Sequence, residues 1–205
     1  MKTKTTLGLV AEGLRLVCAL LPTLFWVLVI FGFEEPAPAV ATLLTALIHE
    51  FGHIGYIWFS GGKALNIRGV LSGMRIGTSG LSSYKDKILT YLWGPMANFI
   101  ASLIFLVLAP LSSFFPLMAI MNIATALSNL LPIEEYDGYG IIKTYIEMKE
   151  LGDWYLRALY ALSSMLIFLL CILSLYLIDR YGRGYWIFAV YFFSMIKHFK
   201  KELKE

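Results

Sequence analysis

The sequence predicts an all-α polytopic membrane protein with about six transmembrane helices and a small β element at the membrane surface, between the second and third helices. Hydrophobic residues make up 59% of the 205 residues and charged residues only 15%, which is too little polar surface to cover a soluble globule of this size. The apolar residues also fall in runs of about 18 or more, the length that a helix needs to cross the bilayer core.

Five of these runs are long enough to span a bilayer. They cover Leu16 to Phe33, Pro38 to Phe59, Ile88 to Leu108, Phe114 to Leu131 and Tyr155 to Ile178. A sixth run, GYWIFAVYFFSMIKHF, has about 15 residues, which suits a short tilted span or a helix lying among the headgroups. The first run follows a basic N-terminus but is longer than a signal peptide's apolar segment and lacks a small-residue cleavage site. We therefore expect it to be a retained span.

The basic residues indicate the orientation of the chain. If all six runs cross and the N-terminus is cytoplasmic, only Arg180 and Arg183 fall outside, whereas the other lysines and arginines lie inside. We therefore expect a multi-pass protein of the bacterial plasma membrane with both termini and its chemistry facing the cytoplasm. Because the basic residues form short clusters between apolar runs, we expect the lipid bilayer as a partner and no nucleic acid.

We expect residues 1–205 to form one membrane-embedded domain. The long polar connection GGKALNIRGVLSGMRIGTSGLSSYKDK contains glycines and alternating apolar residues, which favour one or two short strands at the cytoplasmic membrane surface. The two cysteines, Cys18 and Cys171, each lie within an apolar run. This excludes a disulfide framework and a cysteine-based zinc site.

The second apolar run contains the segment HEFGH. His49 and His53 are four residues apart, so on a helix they lie on one face and can direct imidazole nitrogens at one metal ion. Glu50 is turned by about 100° from His49, close enough to reach a water at the metal without becoming a ligand. Each histidine alone could be a hydrogen-bonded core residue. Two histidines and a carboxylate within one turn of a membrane helix are costly, and we interpret them as a metal site.

A catalytic zinc ion usually has three protein ligands and an open position. The remaining histidine, His198, lies in the basic tail, so we expect the third ligand to be a carboxylate. Asp137, after Pro132 and before Gly138, is a candidate because a tight turn there could fold back toward the second helix, although Asp-Gly is also an ordinary turn dipeptide. Glu134 and Glu135 are rivals that could equally be a solvated pair.

In three segments the sequence resembles the site-2 protease family of intramembrane zinc metalloproteases. These segments are HEFGH at His49 to His53, GPMAN at Gly94 to Asn98, and NLLPIEEYDG at Asn129 to Gly138, the last matching the pattern N-x-x-P-x-x-x-x-D-G. The resemblance covers about residues 37–144, the family's catalytic core, with additional helices in 1–36 and 150–205. The compact layout is similar to the branch that includes bacterial sporulation-factor-processing proteases.

The resemblance implies that His49, His53 and Asp137 bind zinc and that Glu50 is the general base. It also implies that Asn98 and Asn129 line the substrate site, although each could instead form a hydrogen bond that holds two helices together. The expected substrate is a membrane-associated or single-span protein, cut within or near the bilayer as in regulated intramembrane proteolysis. A regulatory membrane protein could be a further partner.

Two other functions are compatible with the same residues. A catalytically silent pseudoprotease that binds membrane proteins would keep the fold but lose the base, and Glu50 is present. A metal or ion transporter would need a continuous polar path, and the other spans offer few ionisable groups. The chain also departs from many relatives, which have a proline-rich turn at the positions of Ile133, Glu134 and Glu135.

Overall fold

The computed structural model describes residue 32 and residues 35–70, 73–79, 83–182 and 185–202. The predicted first span lies outside these residues except for Gly32. The elements in chain order are α1 (Pro36–Phe59), β1 (Lys63–Val70), β2 (Gly73–Ser79), α2 (Tyr84–Leu108), a 3-10 turn (Ala109–Leu111), α3 (Phe114–Asn129), α4 (Asp137–Met148), α5 (Asp153–Tyr181) and α6 (Tyr185–Glu202).

Three helices among the described residues are long and apolar enough to cross a membrane. They are Pro36–Phe59, Tyr84–Leu111 and Asp153–Tyr181, at the places of the second, third and fifth predicted spans. The fourth predicted span forms a shorter apolar helix of 16 residues, α3. The sixth lies in α6, which is not among the three. The chain thus has the helices of a multi-pass membrane protein, and the total of six spans stays a prediction.

The ends of α1 follow local sequence rules. Pro36 occupies the first turn, where a missing N–H costs nothing. At the other end Gly61 adopts a left-handed conformation with φ 76°, which glycine tolerates because it has no Cβ. The Gly62 N–H donates to the Ile57 carbonyl at 2.9 Å and the Gly61 N–H to Trp58 at 3.2 Å, the pattern of a Schellman motif. The helix therefore ends immediately before the polar connection.

The connection between α1 and α2 contains two antiparallel strands. Their register pairs Lys63 with Ser79 and Val70 with Gly73, with an irregularity between Ala64 and Asn66. This is the segment in which the β element was predicted. After it, Ser83 caps α2, since its Oγ accepts from the Asp86 N–H at 3.0 Å.

Helix α2 lies at the centre of the described fold. It packs against α1, α3 and α4, while α5 packs against α4 and α6. At the crossing of α1 and α2, a Cβ on Gly52 would overlap the Trp93 carbonyl and lie 2.7 Å from Ala97 Cβ. The two backbones therefore approach more closely than any larger residue would allow, as is common between membrane helices.

Polar and apolar side chains are distributed as expected for helices in lipid. Large apolar side chains such as Leu103, Val107, Phe168 and Leu175 are at least half exposed on the outside of α2 and α5. Buried polar side chains such as Asn98 and Asn122 lie between helices. This distribution places polar groups where other protein groups can satisfy them.

We predict that Gly52→Ala destabilises the protein, because its methyl group would push α1 away from α2. Overpacking of this kind costs about 1–3 kcal/mol. Thermal unfolding in detergent measures the effect. Gly55→Ala is the matched control, since a Cβ on Gly55 in the same helix meets nothing within 4 Å. Equal unfolding temperatures for the two variants would contradict the close approach.

Candidate metal centre

The two histidines of α1 face α2 and are almost fully buried. His49 is 8% exposed and His53 9% exposed, and their rings lie edge to face with centroids 4.8 Å apart. Gly94 on α2 lies directly against both rings, so that a Cβ there would overlap His53 Nε2 and lie 2.9 Å from His49 Cε1. Glycine at this position makes room for the paired imidazoles.

The Nδ1 atom of each histidine is held by an acceptor on α2. His53 Nδ1 donates to the Thr90 carbonyl at 2.7 Å. His49 Nδ1 lies 2.7 Å from Asn98 Oδ1. The Asn98 amide is oriented by its other end, because Nδ2 donates to the Thr45 carbonyl at 3.0 Å and to Asn122 Oδ1 at 2.8 Å. Both Nδ1 atoms therefore carry hydrogen, and in the neutral rings both Nε2 atoms present a lone pair.

Asp137 completes the group. Its Oδ2 lies 3.0 Å from His49 Nε2 and 3.5 Å from His53 Nε2, and the two Nε2 atoms are 3.1 Å apart. The carboxylate is 8% exposed, and Oδ2 has no aligned hydrogen bond among the described residues. Three electron-pair donors thus meet in a buried place, and their mutual repulsion is relieved by a cation among them, either a proton or a metal ion.

This donor set fits a metal ion. The ligand atoms of His49, His53 and Asp137 lie within 4.8 Å of one another. Two imidazole nitrogens and one carboxylate oxygen are ligands that zinc accepts. The acceptors on the outer nitrogens, Asn98 Oδ1 and the Thr90 carbonyl, are of the kind usual for ligating histidines. Burial raises the pKa of the Asp137 carboxyl, but hydrogen bonds and positive charge from the two imidazoles, when these are protonated, lower that pKa by more. A metal cation would act in the same direction.

Asp137 reaches the histidines from the first position of α4 rather than from a turn. The prediction of a tight turn at Gly138 is wrong, since this glycine is helical. A Cβ on Gly138 would overlap the Leu130 carbonyl, so close packing between α4 and the end of α3 requires the glycine. An acidic residue is also favourable in the first turn, where helix N–H groups are unpaired.

The segment before Asp137 is anchored to α5. Ile133 is 1% exposed and packs in a cluster with Ile167 and Cys171. The Glu134 N–H donates to Ser163 Oγ at 2.7 Å, and Ser163 is fully buried. These two contacts hold the chain in place between α3 and α4 and so determine where Asp137 projects.

The other predicted site residues have different surroundings. Glu50 follows His49 on α1 and is half-buried, and its role as a base stays a prediction. Glu134 and Glu135 are not part of the His49, His53 and Asp137 group. Asn129 donates to the carbonyl of Thr125 within its own helix at 3.0 Å. Its contact with substrate stays a prediction.

Asn98 lies behind the histidines. It is fully buried, and its Oδ1 and Nδ2 are bonded to His49, Thr45 and Asn122. Of the two interpretations of this residue, these contacts favour the hydrogen bond between helices. The substrate contact implied by the resemblance stays a prediction.

Thr45, Thr90 and Asn122 also surround the centre, and none of them was predicted from the sequence. Asn122 could have been noticed as an amide within an apolar helix, where an unpaired polar group is costly. Thr90 acts through its backbone carbonyl, and since every residue has one, the residue type could not indicate this role.

We predict that Gly94→Ala lowers the metal content of the purified protein, because the added methyl group would displace both imidazoles. Metal per chain, measured by elemental analysis after dialysis, should fall to less than about half, since even small displacements break ligand geometry. The control is again Gly55→Ala. Full metal occupancy of Gly94→Ala would contradict the packing of Gly94 against the rings.

Comparisons with known proteins agree with this geometry at the level of the fold. No protein-family model matches the chain, and no curated protein matches it in sequence. The solved structure of a site-2 protease from Methanocaldococcus jannaschii is similar, with a TM-score of 0.66 and 15% sequence identity over 88% of this chain and 87% of that one. The chain therefore has a fold similar to that of a site-2 protease.

Proposed function

We propose that this protein is an intramembrane zinc metalloprotease that hydrolyses a peptide bond of a membrane-associated or single-span protein. The observation that carries the proposal is the convergence of His49, His53 and Asp137, with ligand atoms within 4.8 Å, in a helical fold similar to that of a site-2 protease. In this proposal the protein has six spans with cytoplasmic termini and is of the compact sporulation-factor-processing type.

Zinc is the metal that this ligand set favours. His49, His53 and Asp137 would supply three ligands and leave a position open for water, the composition of catalytic rather than structural zinc sites. When bound there, zinc would act as a Lewis acid toward a water molecule and a peptide carbonyl. The hydrogen bonds to the Thr90 carbonyl and Asn98 behind the histidines would hold the rings in the orientation that binding requires.

Glu50 is the residue that we assign to proton transfer. It lies next to His49 on α1 and is half-buried, so it can reach the metal position without being one of the three ligands. In the proposed reaction its carboxylate takes a proton from the attacking water and gives it to the leaving amine. Water must reach this place, and a cavity open to the cytoplasm would supply it.

The substrate must present an extended segment. A transmembrane helix satisfies its own amides, so it has to unwind locally before a carbonyl can enter the site. Among the described residues the sheet consists of β1 and β2 alone, and an extended segment could add to an edge of it as a further strand at the membrane surface. Helix-weakening residues in the substrate should therefore promote cleavage.

We predict that Glu50→Gln keeps zinc but loses proteolysis by about 100-fold or more, because the amide cannot accept the proton. Purified protein in detergent is tested against a panel of single-span and amphipathic-helix reporters, and bound zinc is quantified in the same samples. Glu147→Gln, on α4, is the control for the loss of an acidic group. Cleavage by Glu50→Gln at the rate of the unchanged protein would contradict the assignment of the base.

We predict that Asp137→Asn loses both zinc and proteolysis. The amide lacks the negative charge that two neutral imidazoles need to hold a divalent cation, and it can present hydrogen where a ligand lone pair is required. Zinc affinity is measured by competition with a chelator, and Asp153→Asn at the start of α5 is the matched control. If the unchanged protein binds no zinc at all, the proposed function is wrong.

A further inference from the structure

A chain of buried polar side chains connects α3 to the candidate metal centre. Asn122 on α3 and Asn98 on α2 are both fully buried, and Thr45 on α1 is 1% exposed. Asn122 Oδ1 accepts from Asn98 Nδ2 at 2.8 Å, and Asn98 Oδ1 in turn faces His49 Nδ1 at 2.7 Å. Asn122 therefore lies one side chain away from a residue of the metal group.

The direction of every hydrogen bond in this chain follows from groups that can act in only one way. Asn122 Nδ2 donates to the Met118 carbonyl at 2.8 Å and to Thr45 Oγ1 at 3.1 Å. Because a carbonyl only accepts, the opposite end of the Asn122 amide must be the oxygen, and it faces Asn98. The Thr45 carbonyl accepts from Asn98 Nδ2 at 3.0 Å and orients the second amide in the same sense.

We propose that Asn122 is a positioning residue that fixes the tautomer of His49. With Asn98 Oδ1 facing His49, the ring carries hydrogen on Nδ1 and leaves Nε2 free for the metal. If the Asn98 amide turned over, its Nδ2 would face Nδ1, the hydrogen would move to Nε2, and the ligand lone pair would be lost. The inference rests on the metal site of the proposed function but not on proteolysis.

The Asn122 amide constrains the orientation of the Asn98 amide. Its oxygen gives Asn98 Nδ2 a second acceptor, so both hydrogens of that amide are used. Without Asn122, one of these hydrogens would be left in a buried place without a partner, and the orientation of Asn98 would depend on Thr45 alone. Loss of an outer-shell partner of a ligand typically lowers metal affinity about 10- to 100-fold.

A neighbouring hydrogen bond offers a control for ordinary helix packing. Ser102 Oγ on α2 donates to the Ala119 carbonyl on α3 at 2.9 Å, and Ser102 is 4% exposed. This bond joins the same two helices as the Asn98–Asn122 bond and is similarly buried. The Ser102 bond does not involve Asn98, Asn122 or Thr45, so Ser102→Ala tests only the contribution of a buried bond between α2 and α3.

The experiment compares Asn122→Leu, Asn122→Asp and Ser102→Ala with the unchanged full chain in detergent. Zinc affinity is measured by chelator competition, the absorption spectrum of the cobalt(II)-loaded protein reports ligand geometry, and thermal unfolding reports stability.

We expect Asn122→Leu to lower zinc affinity about 10- to 100-fold and to change the cobalt spectrum. Asn122→Asp should restore both, because a neutral carboxylic acid can accept from Asn98 and donate to Met118. Ser102→Ala should lose stability but keep affinity and spectrum.

Nitrogen-15 NMR of histidine-labelled, metal-free protein tests the tautomer directly and needs no substitution at Asn122. The sequence has three histidines, so assignment by single His→Gln variants is practical. We expect His49 to carry its hydrogen on Nδ1. If Asn122→Leu does not fold, this measurement on the unchanged protein and on Asn122→Asp decides.

Three results would overturn the inference. They are a His49 hydrogen on Nε2 in the metal-free protein, an Asn122→Leu variant with unchanged affinity and spectrum, and a Ser102→Ala variant that changes both as much as Asn122→Leu does. A failure of the proposed function is distinguishable, because then the unchanged protein itself binds no zinc.

Discussion

The structure depends on one electrostatic constraint: two imidazole lone pairs and a carboxylate oxygen meet in a nearly buried place. The distances between Asp137 Oδ2 and the Nε2 atoms of His49 and His53 are 3.0 and 3.5 Å. Three electron-pair donors so close repel one another unless a cation lies among them. Their convergence is costly, and the hydrogen bonds and close helix packing around the histidines maintain it.

Those contacts come from elements that are remote in sequence. Gly94 removes the side chain that would separate the histidines from α2, and Gly52 allows the two backbones to approach at the same crossing. Thr90 and Asn98 hold the outer nitrogens of the imidazoles. In an apolar surrounding each polar group needs a partner from the protein, so the positions of the polar residues and the helix crossings specify each other.

The carboxylate is positioned by other elements than the histidines. Asp137 begins α4, and the segment before it is held on α5 by the burial of Ile133 and by the bond from the Glu134 N–H to Ser163. The histidines belong to α1 and the carboxylate to α4, so the site is complete only when the packing of α4 and α5 is complete. Metal binding would therefore stabilise the assembled helices as well as supply the chemistry.

The sequence by itself determined the features that depend on local periodicity. The approximate positions of α1, α2 and α5 follow from apolar runs, although each helix begins a few residues earlier than predicted. The shared face of His49 and His53 follows from their spacing of four. The resemblance to site-2 proteases already implied Asp137 as a ligand, but its convergence with the histidines, the helix α4, and the network through Asn98 and Asn122 were decided by tertiary structure. Each of these depends on how the chain path brings together residues far apart in sequence, such as position 49 with positions 98 and 137, and no local pattern encodes that distance.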